Sequence, residues 1–217
     1  MRGTCDTRVP RPLRNRLRLG FVEVICHLPS DLLSDPYGTD MVHTLGHGTL
    51  SQDAFTALVR TAGLAEVVDI RSFPGSRHHP QFGRAEMARW LPEAGVGYHW
   101  MKDLGGRRKG VPASRHVALR HPSFRAYADY METDAFAAAV DDLLARGGGR
   151  VVMCSESVWW RCHRRLLADH LVLVRHVEAR HLMHDGRLVP HRPTGGVRVD
   201  GHTLVYDVGA TPPLAPS

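Results

Sequence analysis

Cysteine is scarce and scattered in this chain. Four thiols at positions 5, 26, 154 and 162 of 217 residues are too few for a disulfide-stapled scaffold, and no two of them form a CxxC pair. A reducing cytoplasm is the simplest setting for such usage. Long apolar runs are missing too: none approaches the roughly 18 residues that suggest a membrane span, so no membrane partner is expected. The Arg-rich opening resembles a targeting segment in charge only. No apolar stretch of about 7–15 residues with a small-residue cleavage site follows it, which argues against secretion. What remains, 43% hydrophobic and 23% charged residues, is ordinary for a soluble globular protein of one domain plus an appendage.

The formal charge of +6 looks like a nucleic-acid signal until it is divided along the chain. Residues 1–20 hold six Arg against one Asp, so the rest of the chain is close to neutral. Between Arg71 and Arg125, however, eleven Arg or Lys stand against Glu86, Glu93 and Asp103, and acids dominate from Asp129 to Asp142. The folded part is therefore expected to have a basic and an acidic side.

Residues 1–40 show no sustained periodicity and read as a disordered or mis-annotated extension, with Met41, just before the first convincing strand, as the expected natural start. From Val42 the pattern alternates. Ser51 caps a helix carrying Phe55, Leu58 and Val59, and Glu66 to Ile70 forms a second strand. A helix follows over about Arg84 to Ala94, then a third strand across Val96 to Met101. Asp103 to Pro122 is too rich in Gly and Pro for a long element. Helices from about Ser123 and from Ala135 to Ala145, the second capped by Thr133-Asp134, precede a strand over Arg150 to Cys154 and a helix over Arg161 to Leu173. A last strand, His176 to Met183, continues as a hairpin around Asp185-Gly186. This alternation predicts a three-layer α/β fold, a mostly parallel sheet with helices on both faces, in a single domain over residues 41–192, with 193–217 as a C-terminal tail.

Three predicted strands run straight into reactive side chains: Val42-His43-Thr44-Leu45-Gly46-His47, Val67-Val68-Asp69-Ile70-Arg71-Ser72 and Val151-Val152-Met153-Cys154-Ser155-Glu156. Parallel strands deliver such ends to one edge, where ligands bind. His47, Asp69, Cys154, Glu156 and His163 are the candidate catalytic groups. Arg71, Ser72, Arg77, Arg107, Arg161 and Arg164 are the candidate anion contacts, since the guanidinium fork matches phosphate or carboxylate. Around Cys162-His163-Arg164 a helix N-terminus would favour an anion or an activated thiol; a buried Cys154 and a solvated Arg face would give the same sequence. Asp69 and Arg71 could equally pair with each other and shape their loop. The seven residues between Cys154 and Cys162 miss the two to four usual for zinc, so no metal site is expected from the spacing, and nothing identifies a cofactor. Trp159-Trp160 could stack on a base or pack a loop.

In these motifs the chain resembles the DUF488 family, small bacterial and archaeal proteins named for their unknown function. The resemblance covers about Val42 to Met183. It rests on Thr44-Leu45-Gly46-His47, on Val68-Asp69-Ile70-Arg71-Ser72-Phe73-Pro74 with Ser76-Arg77 and Phe82, on Leu104-Gly105-Gly106-Arg107, on Tyr127-Ala128-Asp129-Tyr130-Met131, and on Cys154-Ser155-Glu156 followed by Cys162-His163-Arg164. The family usually continues Gly-His with Ser, where this chain has Gly48 and then Thr49. The resemblance implies a shared α/β domain and brings no settled activity. The side chains point first to an enzyme for an anionic ligand, a phosphate-bearing small molecule or a nucleic-acid end, with acid-base or nucleophilic chemistry. A non-catalytic nucleic-acid module and a thiol or metal sensor built on Cys154 and Cys162 are the rivals, and the oligomeric state is open.

Overall fold

The computed structural model describes residues 41–75 and 77–209. The extension expected over residues 1–40 lies outside them. Among the described residues, five α-helices and eight strands follow in the order β1 (Met41–Gly46), α1 (Gln52–Thr61), β2 (Glu66–Asp69), α2 (Arg84–Glu93), β3 (Gly97–Trp100), α3 (Pro122–Met131), α4 (Asp134–Leu144), β4 (Arg150–Cys154), α5 (Arg164–Leu173), β5 (Glu178–Leu182), β6 (Leu188–Pro190), β7 (Val197–Asp200) and β8 (Thr203–Tyr206). The caps read from sequence are made: Ser51 accepts the Ala54 N–H at the start of α1, and Thr133 accepts the Phe136 N–H at the start of α4.

Six strands form one sheet in the order β3-β2-β4-β1-β5-β6. All its pairings are parallel except that of β5 with β6, the hairpin around Asp185-Gly186. Alternation along the strands feeds two cores. Leu45, Val67, Val151 and Met153 pack with Phe55 and Val59 of α1 and Met87, Trp90 and Leu91 of α2. Val42, Val68, Val152 and Cys154 pack on the other face with Tyr127, Phe136, Val140, Leu166 and Leu167 of α3, α4 and α5. Helices therefore cover both faces of the sheet, as the alternating pattern predicts.

This topology fixes where a cleft can open. The chain leaves β1 and β2 toward α1 and α2 on one face, but leaves β4, which lies between them, toward α5 on the other. Adjacent strands whose connections diverge to opposite faces leave a crevice beyond their C-terminal ends.

Two segments depart from the sequence reading. The helix expected from Arg161 breaks into a single 3-10 turn, Trp159–Arg161, followed by Cys162 in extended backbone (φ −121°, ψ 149°) and only then α5. The segment read as a C-terminal tail contains the antiparallel β7–β8 hairpin, whose Leu204, Val205 and Tyr206 are buried. The Tyr206 hydroxyl donates to Asp169 Oδ2 at 3.0 Å, tying the hairpin to α5.

Candidate functional site

Register decides which side chains meet at the crevice. Gly46 of β1 pairs with Cys154 of β4, and Asp69 of β2 pairs with Met153. The ladder continues past the strands: His47 N–H donates to the Cys154 carbonyl and Ile70 N–H to the Met153 carbonyl, both at 3.0 Å. His47, Arg71 and Cys154 thus emerge side by side and line a cleft of about 630 Å³ together with Glu156, Cys162 and His163.

On the β2 side, most functional groups are committed to one another. Asp69 is fully buried and accepts four hydrogen bonds, three of them from Arg71: the Arg71 backbone N–H at 3.0 Å and Nε at 2.8 Å reach Oδ1, and Nη2 reaches Oδ2 at 2.6 Å, where the Tyr98 hydroxyl also donates at 2.8 Å. Nη2 further donates to the Phe82 carbonyl at 2.8 Å. The Arg71 guanidinium stands 3.2 Å from His47 Nε2 through Nη1, and His47 Nδ1 stands 2.9 Å from the Gly48 carbonyl. Because a carbonyl only accepts and a guanidinium only donates, the network assigns the proton to Nδ1 and the lone pair to Nε2. Burial first, and the Arg71 charge second, push His47 down to about 4, so it is neutral and both ring nitrogens are used. Its ring stacks on Phe82 at 4.2 Å. The internal pairing of Asp69 with Arg71 is therefore real. Arg71 and His47 line the cleft, and Asp69, which has no exposed surface, holds Arg71 in place.

On the β4 side, Cys154 is buried at the strand end, and the extended Cys162 brings a second buried thiol beside it. His163 Nδ1 faces both, at 3.9 Å from Cys154 Sγ and 3.6 Å from Cys162 Sγ. The hydrogen bond with Cys162, aided by His163 against the opposing effect of burial, pulls the Cys154 thiol well below its usual range, while burial pushes Cys162 up. Two glycines make this packing possible. A Cβ on Gly106 would lie 2.5 Å from the His163 ring, and one on Gly46 would lie 1.7 Å from the Glu156 carbonyl oxygen.

The remaining sequence candidates divide by position. Glu156 and Arg161 are exposed on the rim, as is Arg107, whose guanidinium lies 5.6 Å from the Phe73 ring centre. Ser72 lines the cleft and accepts the Arg107 backbone N–H at 3.1 Å. Arg77 is exposed and is not among the residues lining the cleft. Arg164 is buried and points elsewhere: Nη1 donates to the Glu156 carbonyl at 2.5 Å and Nη2 to that of Ser157 at 3.0 Å, so it braces the loop instead of meeting a ligand. Trp159 stacks on His181 at 4.1 Å and packs the loop, whereas Trp160 is exposed. Tyr98, whose hydroxyl holds Asp69, did not stand out as functional in the sequence.

Behind that loop runs a buried polar chain that sequence reading missed. Asp169 only accepts, so the His191 Nε2 proton faces it at 2.7 Å, His181 Nε2 donates to His191 Nδ1 at 2.9 Å, and the Thr44 hydroxyl donates to His181 Nδ1 at 2.7 Å. Burial pushes His181 down to about 3, and burial likewise pushes His170 down to about 4. A histidine depressed in the folded state binds fewer protons than in the unfolded chain. Its contribution is complete above pH 6.5 and is lost as pH falls toward the folded value. Each such histidine adds a slope of about 1.4 kcal/mol per pH unit in that window. Urea unfolding midpoints are expected to fall steadily between pH 6.5 and 4.5; a flat profile there would contradict this protonation scheme.

Comparison with protein families matches residues 51–171 to the domain of unknown function DUF488. The chain belongs to the DUF488 family. The DUF488 match runs from the N-cap of α1 into α5, so it contains Asp69, Arg71, Cys154, Cys162 and His163, while His47 precedes it. No curated protein and no solved structure matches the chain.

Proposed function

We propose that this DUF488 protein is an enzyme whose cleft takes a small anionic substrate, phosphate- or carboxylate-bearing, over a reacting centre formed by Cys154, Cys162 and His163. The reading is carried by one observation: three strand exits converge on a single cleft with a thiol–imidazole cluster at its floor and Arg107 and Arg161 at its rim. Arg107 and Arg161 would hold the anion, with Arg71 also lining the cleft. Glu156, exposed on the rim, is placed for proton transfer to or from a bound ligand. His47 and Asp69 act as positioning residues, because their polar atoms are already spent, those of Asp69 on Arg71 and Tyr98 and those of His47 on Arg71 and the Gly48 carbonyl.

The basic stretch from Arg71 to Arg125 supports a nucleic-acid surface less than its composition suggests. Arg71 is paired with Asp69, Arg89 with Glu86 and Glu93, and Arg115 with Glu132 and Asp200. Arg84 lies over the Trp100 ring, and Arg108 donates to three backbone carbonyls.

The reading is tested by thermal unfolding with inorganic phosphate, pyrophosphate, nucleoside monophosphates and dicarboxylates. An anion at 100 times its Kd stabilises by about 2.7 kcal/mol, which in a chain of this size raises Tm by roughly 5–10 °C. At least one of these anions is expected to do so, and Arg107→Ala with Arg161→Ala is expected to remove the effect. If none does, while a single-stranded oligonucleotide binds with an affinity that falls steeply with salt, the protein is a nucleic-acid module instead.

A further inference from the structure

The cluster at the cleft floor has a geometry that hydrogen bonding alone explains poorly. One imidazole nitrogen can make one good hydrogen bond, yet His163 Nδ1 faces two sulfurs, at 3.6 and 3.9 Å. The three donor atoms all lie within 4.8 Å of one another. A tetrahedral ion bound at about 2.3 Å to sulfur and about 2.0–2.1 Å to nitrogen holds its S and N ligands about 3.6 Å apart and two S ligands about 3.8 Å apart. The two sulfur–nitrogen distances are close to those such an ion would keep, and the sulfurs lie within 4.8 Å of each other. We propose that Cys154, Cys162 and His163 form a three-ligand site for a borderline-soft divalent cation, zinc above all, with the fourth position open to the cleft.

Chemistry and surroundings agree. Two thiolates and an imidazole select zinc or cobalt over magnesium or calcium. Two negative sulfurs in a buried place need a compensating charge, and Arg164, the buried cation beside them, already spends both terminal nitrogens on the Glu156 and Ser157 carbonyls. A divalent ion supplies the charge as the two thiols release their protons. Structural zinc sites are closed by four protein ligands. Three ligands at the floor of an open cleft match the catalytic type, in which water or substrate takes the fourth place.

The spacing rule missed this site because it describes ligands on one compact knuckle. Here the sheet supplies one sulfur from the end of β4, and the break before α5 supplies the other two donors. Binding of the ion stands on this geometry alone; only its chemical role rests on the proposed function.

The test uses the full chain without a histidine tag, reduced and stripped with a chelator, then titrated with Co²⁺. Thiolate-to-cobalt charge-transfer absorption and the visible bands of tetrahedral Co²⁺ are expected at one equivalent, and Zn²⁺ should displace them. Cys162→Ser and His163→Gln should weaken binding by more than the about 10–100-fold that loss of a supporting partner alone costs, with circular dichroism confirming that each variant folds. Arg107→Ala with Arg161→Ala should keep the Co²⁺ spectrum while losing stabilisation by pyrophosphate or the best anion of the panel. A Co²⁺ spectrum with no anion binding would leave the metal site standing and remove the proposed substrate class. Folded, reduced protein that gives no thiolate–cobalt absorption would overturn the metal site, as would a Cys154–Cys162 disulfide formed in a chain with no measurable Co²⁺ affinity.

Discussion

Replacing Asp69 with Ala is expected to destabilise the fold by about 3–5 kcal/mol, the usual cost of breaking a buried ion pair from one side. Asp69 has no exposed surface, and Arg71 is 7% exposed. The substitution strands a guanidinium in the interior, frees its backbone N–H, and removes the acceptor of the Tyr98 hydroxyl, which burial and then Asp69 hold in its neutral form. Adding Arg71→Met should recover part of the loss, because removing both charges leaves no uncompensated ion. Urea denaturation of the two single variants and the double variant measures this directly. A loss for Asp69→Ala below about 1 kcal/mol, or strictly additive effects, would mean that the pair is solvated and does not organise the cleft wall.

Gly46→Ala should be nearly as damaging, for a steric reason. The new methyl would meet the Glu156 carbonyl oxygen at 1.7 Å, its carbon at 2.6 Å and Arg164 Nη1 at 2.7 Å. A backbone carbonyl held by a buried arginine has no rotamer by which to step aside. The cost is expected at or above the upper end of the about 1–3 kcal/mol typical of overpacking. Displacement of the Glu156–Ser157 backbone should also abolish anion-induced stabilisation. Gly148→Ala, with nothing within 4 Å of the added methyl, is the control and should be close to neutral. If Gly46→Ala retained both full stability and the anion response, the close approach of β1 to the loop after β4 would not matter to the site.

Much of this architecture was legible because local and global signals agree. Ser51 and Thr133 are strong caps, and the apolar strand residues alternate in a way that serves helices on both faces. The strand exits were legible as site positions for the same reason, since a parallel sheet sends them to one edge. Roles were harder to read than positions. Arg161 and Arg164 look equivalent in sequence, but the extended Cys162 between them leaves the first on the rim and turns the second into the interior. His47 could not be recognised as neutral and committed, because Arg71 and Phe82, which spend its polar atom and cover its ring, come from distant segments. The hairpin of β7 and β8 did carry a signal: Gly201-His202 joins the paired Asp200 and Thr203, and Gly201, at φ 63°, supplies the positive φ that a two-residue hairpin turn needs at its first central position.

A small anion is expected to bind in the cleft beyond β1, β2 and β4. Backbone amide chemical-shift mapping of ¹⁵N-labelled protein, titrated with pyrophosphate or whichever anion of the panel stabilises it most, would locate it. The expected perturbations gather at residues 46–48, 71–73, 105–107 and 154–163. Perturbations confined to the basic surface around Lys102, Lys109, Arg120 and Arg125, with the amides of Gly48, Ser72, Gly106 and Ser155 unmoved at saturation, would contradict binding in the cleft.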